Sequence, residues 1–291
     1  MVAANPDPGF FLLPGWREQV CTMTSPGTSS KREALTRYIA DCRSLLIAYS
    51  GGVDSGLLAA LAQEVLGDRV HCVLIDSPLV SRSAVRDAEQ IAAALGLSFE
   101  IIAVPALDDT VCSNPPDRCY HCKKSDARIL KRRAEELGLA CIADGANRSD
   151  LGEHRPGLRA STEEGIVHPY IEAGITKADI RAIARERGLE FWDKPSAACL
   201  ASRVPYGEEI TDEKLRMIEA AEAVLHEAGF LQARVRCHAG IARIEVIPHE
   251  IPRLIAMRDV IVPVLKRTGF SYITLDLEGF RSGSMDEVLP S

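Results

Sequence analysis

Hydrophobic positions fall into short continuous runs separated by longer amphipathic stretches. Ser44–Tyr49 (SLLIAY), Val70–Ile75 (VHCVLI), Ser98–Val104 and Leu139–Ala143 have the length and composition of strands buried on both faces. Between and around them, helical periodicity predicts helices over Lys31–Cys42, Gly56–Leu66, Ser81–Leu95 and Asp126–Leu137. The last three are closed by Gly67, Gly96 and Gly138. Strands alternating with helices imply βαβ units, and so an α/β fold with a doubly wound, mostly parallel sheet. A further helix is expected over Thr176–Arg187, with Thr176 as its N-cap. The order then changes to helix (Thr211–Ala228), strands (Gln232–His238, Ala242–Ile247), helix (His249–Lys266) and strand (Tyr272–Leu277), which predicts a smaller C-terminal α+β domain. The chain therefore divides into a disordered leader over 1–30, an α/β domain over 31–199 and the α+β domain over 200–285. Two polar stretches resist assignment, Gly145–Pro169 and the segment from Phe191 to Thr211. The first is too long for a plain connection, so it is expected to be a functional loop.

Composition narrows the picture only a little. A chain of 291 residues, 46% hydrophobic and 26% charged, can bury an ordinary core. A net charge of −7 argues against nucleic acid as a partner. No apolar run reaches the ~20 residues of a membrane span, and the leader lacks a signal peptide's basic start. Met23 is a plausible alternative start. Nine cysteines, an odd and scattered number, suggest reduced thiols in the cytoplasm rather than a disulfide framework.

The sharpest chemistry lies between the first strand and the next helix, in Ser50-Gly51-Gly52-Val53-Asp54-Ser55. Two glycines let a phosphate approach the backbone, and successive N–H groups with the helix N-terminus behind them form an anion site. Ser50 and Ser55 add hydroxyl donors, while Asp54 either holds a Mg²⁺ on the phosphates or caps the helix. The loop is neither a Walker A nor a dinucleotide glycine motif. It resembles the SGGxDS signature of the PP-loop ATP pyrophosphatases, which release AMP and pyrophosphate. That resemblance implies adenine and ribose at the end of the second strand, near Asp76 and Ser77, and a further contribution from Asp144 and Gly145.

Three later motifs follow in order: Asp117-Arg118-Cys119-Tyr120-His121-Cys122-Lys123-Lys124, then Asp144-Gly145-Ala146-Asn147-Arg148-Ser149-Asp150 with Arg155-Pro156-Gly157, then Lys194-Pro195-Ser196-Ala197-Ala198-Cys199-Leu200-Ala201-Ser202-Arg203. Together they resemble the LarE family of ATP-dependent sulfur transferases of nickel-pincer nucleotide biosynthesis, over about residues 31–280. The resemblance implies that ATP, with Mg²⁺, adenylylates a carboxylate of pyridinium-3,5-biscarboxylic acid mononucleotide. Cys199 would then displace AMP and give up its sulfur, leaving dehydroalanine. It also implies a homo-oligomer and substrate contacts from Ser202, Arg203, Glu222, Arg234 and Arg236, with coenzyme A as a possible partner that re-thiolates the spent residue.

The residues are consistent with this on their own terms. A thiolate suits attack on an acyl adenylate. Arg203, four residues beyond Cys199, can favour that thiolate or bind a substrate phosphate. Arg234 and Arg236 share one strand face, which fits either an anion or solvent. Tyr120 can stack on a pyridinium ring or simply pack. Cys119 and Cys122 form C-x-x-C with no second ligand pair for zinc. Some relatives carry an iron–sulfur cluster on three cysteines, but only one lies in the Ala-Cys-Leu-Ala-Ser-Arg segment, which favours the sacrificial type. His168, His238 and His249 read as structural. A tRNA thiolase lacks its basic surface here, an ammonia-dependent amide synthetase lacks a glutaminase module, and a non-enzymatic nucleotide sensor would not need the thiol.

Overall fold

The computed structural model describes residues 26–152, 155–195, 198–281 and 283–288. The expected leader lies outside these residues up to position 25. From Pro26 the chain is helical, so the helix expected from Lys31 begins earlier. Proline suits that first turn because its φ is preset and its missing N–H would have had no intrahelical acceptor.

Helix α1 (Pro26–Asp41) leads into β1 (Leu45–Ala48), α2 (Val53–Leu66), β2 (Val70–Asp76), α3 (Arg82–Ala94) and β3 (Phe99–Ala103). Then come α4 (Asp109–Cys112), α5 (Arg118–Leu137), β4 (Cys141–Ala143), α6 (Pro156–Glu163), α7 (Pro169–Glu172) and α8 (Lys177–Glu186). The four strands are parallel in the order β3-β2-β1-β4. Alternation of side chains explains the continuous apolar runs. Leu45, Ile47 and Tyr49 enter the core built with α1, α2, α3 and α8, while Leu46 and Ala48 meet Ala127, Leu130 and Ala134 of α5. Because β2 and β4 flank β1, the connections leaving β1 and β4 part at the carboxyl ends of the strands. That switch point is where open α/β sheets take ligands.

Two expectations in this part are corrected. Helix α5 starts at Arg118 rather than Asp126, so Cys119, Tyr120 and Cys122 are helical. Pro115 and Pro116 punctuate the chain, and Arg118 N–H closes a turn on Pro115 O at 2.9 Å. The Gly145–Pro169 stretch holds a 3-10 turn at Arg148–Gly152 and the whole of α6. Polar composition hid that helix, which begins on Pro156.

The C-terminal part contains α9 (Asp212–Glu227), β5 (Ala233–His238), β6 (Ile241–Val246), α10 (Ile251–Ala256), α11 (Arg258–Arg267) and β7 (Tyr272–Leu275). The helix expected over His249–Lys266 is therefore two helices meeting at Met257, and Pro263 within α11 removes one backbone donor. Strands β5 and β6 form an antiparallel hairpin turning on Ala239 and Gly240, both at positive φ, and β7 joins β6 in parallel. Ile218, Leu225, Phe230, Val235, Ile244 and Leu265 fill its core, which also takes Leu79 and Val111 from earlier in the chain. Backbone bonds stitch that seam: Leu200 N–H to Leu79 O at 2.9 Å, Gly207 N–H to Asn114 O at 2.9 Å and Ile210 N–H to Cys112 O at 2.8 Å.

Candidate functional site

The loop after β1 has the features its sequence suggested. Gly51 is buried at φ 67°, and a Cβ there would lie 2.6 Å from Ala88 Cα, so this position needs glycine. A Cβ on Gly52 would meet nothing nearer than Ser50 Oγ at 3.4 Å. Gly52 is the N-cap of α2 and has no side chain to offer, which leaves the first N–H groups of that helix open to an anion. Ser55 Oγ accepts from Ser50 N–H at 3.2 Å and lies 3.1 Å from Ser50 Oγ. Across the switch point, the backbone leaving β4 comes close: a Cβ on Gly145 would sit 3.0 Å from Ser55 N.

Charged groups line this edge in pairs. Asp54 accepts from Lys177 Nζ at the start of α8 and from Asn147 Nδ2 at 3.5 Å, and its carbonyl accepts from the buried Tyr170 hydroxyl at 2.9 Å. Asp144 accepts from Ala146 N–H at 3.0 Å and pairs with His168 Nδ1 at 2.7 Å, whose Nε2 meets Thr162 at 2.9 Å. Asp76, at the end of β2, is forked by Arg82, while Ser77 Oγ accepts from Leu79 N–H at 3.4 Å. Lys123 pairs with Asp126 at 3.5 Å. The carboxylate of Asp126, with Cys122 and Asp144 beyond, holds it firmly protonated. Among the described residues no three His, Cys, Asp or Glu side chains are disposed to hold a metal. Asp54 alone is the chemistry a phosphate-borne Mg²⁺ needs, since that ion keeps most of its ligands from water and phosphate.

Cys199 stands at the seam. It is exposed and precedes the 3-10 turn Leu200–Arg203, with Ser202 N–H closing on its carbonyl at 3.1 Å. The buried Arg203 guanidinium donates to Ala198 O at 2.9 Å, Cys199 O at 3.0 Å and Ser202 Oγ at 2.8 Å, and forks Glu222 of α9 at 2.9 Å through Nε and Nη2. Glu222 also accepts from Val235 N–H at 3.0 Å. Arg236 forks Glu245 at 2.9 and 2.8 Å and reaches Ser202 O and Ser284 Oγ. Arg234 lies over the Phe280 ring and donates to Ala233 O at 2.8 Å. Burial, then the neighbouring Arg203, brings its guanidinium down to about 10.

The structure thus brings Cys199, Ser202, Arg203, Glu222, Arg234 and Arg236 into one region, with Arg203 already paired to Glu222 and Arg236 to Glu245. Tyr120 follows Cys119 in the first turn of α5, bonded to Glu163 and flanked by Arg159 and Lys124, with Arg159 4.5 Å from its ring centre. The C-x-x-C thiols lie near Cys199, which sequence could not decide. Arg118 bridges from Cys119 Sγ at 3.8 Å to Ala201 O at 3.3 Å, and Cys122 packs on the core that holds Leu200 and Ala201. Ser196 and Ala197 of the cysteine motif lie outside the described residues.

Sequence reasoning gave no role to Lys177, nor to Lys194 and Arg118, which lie within the quoted motifs. Lys194 donates to Gly51 O at 3.2 Å and pairs with Asp87 at 2.8 Å, so it braces the loop. Arg118 is buried between Asn114, Ala201 O and Cys119 Sγ. A signal existed for Lys177: a cation in the first turn of a helix opposes the dipole, and such local conflicts gather at functional sites.

Comparison with known proteins fits this geometry. The NAD synthase family profile matches residues 29–129. An uncharacterized protein of Synechocystis sp. is 40% identical, covering 89% of this chain and 98% of its own length. The pyridinium-3,5-bisthiocarboxylic acid mononucleotide synthase of Lactiplantibacillus plantarum is 36% identical over 90% of this chain and 95% of its own. An uncharacterized protein of Methanocaldococcus jannaschii is 34% identical over 82% and 92%.

Proposed function

This chain belongs to the family of the pyridinium-3,5-bisthiocarboxylic acid mononucleotide synthase, LarE-type enzymes with a PP-loop fold, and from that footing we propose that it uses ATP to install sulfur on a carboxylate of pyridinium-3,5-biscarboxylic acid mononucleotide. In this reading Ser50, Gly51, Gly52, Asp54 and Ser55 receive the departing pyrophosphate, adenosine extends toward Asp76 and Ser77, and Asp144 and Gly145 close the site from β4. Mg²⁺, when bound, neutralises phosphate charge, and Asp54 is the residue for it once Lys177 moves aside. The substrate carboxylate attacks the α-phosphorus and pyrophosphate leaves. The Cys199 thiolate then attacks the acyl adenylate and AMP leaves. Loss of the residue-199 Cα proton breaks the Cβ–S bond, so the thiocarboxylate departs and dehydroalanine remains.

The observation that carries this reading is the position of Cys199: among the described cysteines it alone is exposed, on a turn whose carbonyls are held by Arg203. Arg203 and Glu222 shape that turn, and Ser202, Arg234, Arg236 and Tyr120 are the proposed substrate contacts. The parts 31–199 and 200–285 divide nucleotide chemistry from substrate binding. The enzyme works in the cytoplasm as a homo-oligomer, with coenzyme A able to re-thiolate residue 199. Incubation with ATP, Mg²⁺ and substrate tests it. AMP and pyrophosphate should form, each chain should become lighter by one H₂S at residue 199, and no chain should turn over twice. Cys199→Ser should adenylylate substrate but release no thiocarboxylate. ADP as the main product would overturn the nucleotide chemistry. Many products per chain with the Cys199 sulfur retained would instead place the source in external sulfide, or in a cluster on Cys119, Cys122 and a third cysteine.

A further inference from the structure

The turn that leaves β2 borders the nucleotide edge but is anchored on the C-terminal part. Leu79 is buried in the C-terminal core, and its carbonyl accepts from Leu200 N–H at 2.9 Å. Three residues on, Arg82 N–H donates to the Glu219 carboxylate of α9. Ser81 caps α3 through Ala84 N–H at 3.2 Å and leaves the Arg82 N–H to Glu219. From that fixed backbone the Arg82 side chain folds back. Its guanidinium donates to Val80 O at 2.9 Å and forks both oxygens of Asp76, one of them at 2.7 Å. Glu219 lies one turn before Glu222, so one face of α9 meets both the start of α3 and the turn held by Arg203. We infer that Glu219 is a positioning residue for ribose recognition: by holding the Arg82 backbone it fixes the guanidinium that aims the Asp76 carboxylate at the ribose hydroxyls of ATP. This rests on the reading of Asp76 as the ribose end of the site.

The geometry leaves room for that role. A carboxylate offers about four lone-pair sites, and the fork of Arg82 takes two of them. A ribose hydroxyl can therefore donate to Asp76 without displacing the guanidinium. A bidentate fork also sets the plane of the carboxylate, which a single contact would not. Yet the Arg82 side chain is half exposed, and pairs so placed hold weakly by themselves. The bond from its backbone to Glu219 supplies the fixed point. Selection among nucleotides at the α/β domain thus depends on a side chain of the C-terminal part.

Calorimetry of ATP, 2′-deoxyATP and 3′-deoxyATP binding to the full chain with Mg²⁺ tests this, and it requires neither the pyridinium substrate nor sulfur transfer. Wild type should bind ATP at least about tenfold more tightly than one of the deoxynucleotides, the size of one hydrogen bond to a charged acceptor. Glu219→Ala should lower that ratio by about threefold or more, by weakening ATP and not the deoxynucleotide. Glu219→Gln, whose amide oxygen still accepts from Arg82 N–H, should restore it. In Asp76→Ala chains the preference should be gone, and adding Glu219→Ala should change nothing further. The inference is overturned if Glu219→Ala keeps the wild-type ratio, if it weakens all three nucleotides alike, or if Glu219→Gln is no better than Glu219→Ala. Wild type binding all three equally would instead sink the ribose reading of Asp76 and the inference with it, a result distinct from a preference that Glu219 does not affect.

Discussion

The nucleotide edge and the C-terminal arginine pairs hold charge in opposite ways. At the nucleotide edge the Asp54 and Lys177 side chains keep 24% and 31% of their surface exposed, and much of the anion site is backbone. In the C-terminal part, Arg203 and Glu222 retain only 4% and 8%, and Glu245 keeps 1% while serving both Arg236 and Arg243. Partly wet pairs exchange partners cheaply, whereas buried ones are fixed, because opening them strands a desolvated charge. The first arrangement suits a site that must admit and release phosphates. The second suits a frame that holds the turn carrying Cys199.

Substitutions can break this contrast. Glu222→Ala should cost the most, about 3–5 kcal/mol in urea unfolding, because it leaves the buried Arg203 uncompensated. A loss below about 1 kcal/mol would show that the C-terminal pair is as exchangeable as the other. Gly51→Ala comes next. Its left-handed backbone alone costs about 1–3 kcal/mol and its Cβ meets Ala88, so AMP formation should vanish as stability falls. Gly52→Ala sharpens that result: with room beside Ser50, it should leave stability nearly intact and show any defect only in the KM for ATP.

Lys177→Met should change stability little but weaken ATP binding by roughly tenfold or more, the size of one charge-assisted contact, as read by calorimetry. Unchanged ATP affinity would make Lys177 a structural counter-ion and erase the difference between the two regions. Arg82→Ala should have the smallest effect. Its guanidinium is half exposed over Asp76, so unfolding should shift by less than about 1 kcal/mol.

What the sequence determined by itself is local. The runs at 45–48 and 70–76 could only be strands covered on both sides, and the structure covers them so. Thr176 and Asp179 form the capping box whose N-cap was expected, because that signal needs four residues of chain. The glycine loop was legible for the same reason. Its strand, its turn and its helix are consecutive, so spacing alone sets the geometry. Where local signals were weak, boundaries slipped: the start of α5 is polar and follows two prolines, and α6 is short, polar and opened by Pro156-Gly157. Only the tertiary structure decided who partners whom across distant chain. Lys177 reaches Asp54 because α8 packs its first residue against the start of α2. Arg203 finds Glu222, and Arg236 finds Glu245, through the placing of α9 and the β5–β6 register. The start of α5 meets the turn after Cys199 because Asn114 and Arg118 bind the 201–205 backbone. Such meetings depend on how layers dock and slide into register, and a one-dimensional pattern of polar and apolar residues carries that information only in sum.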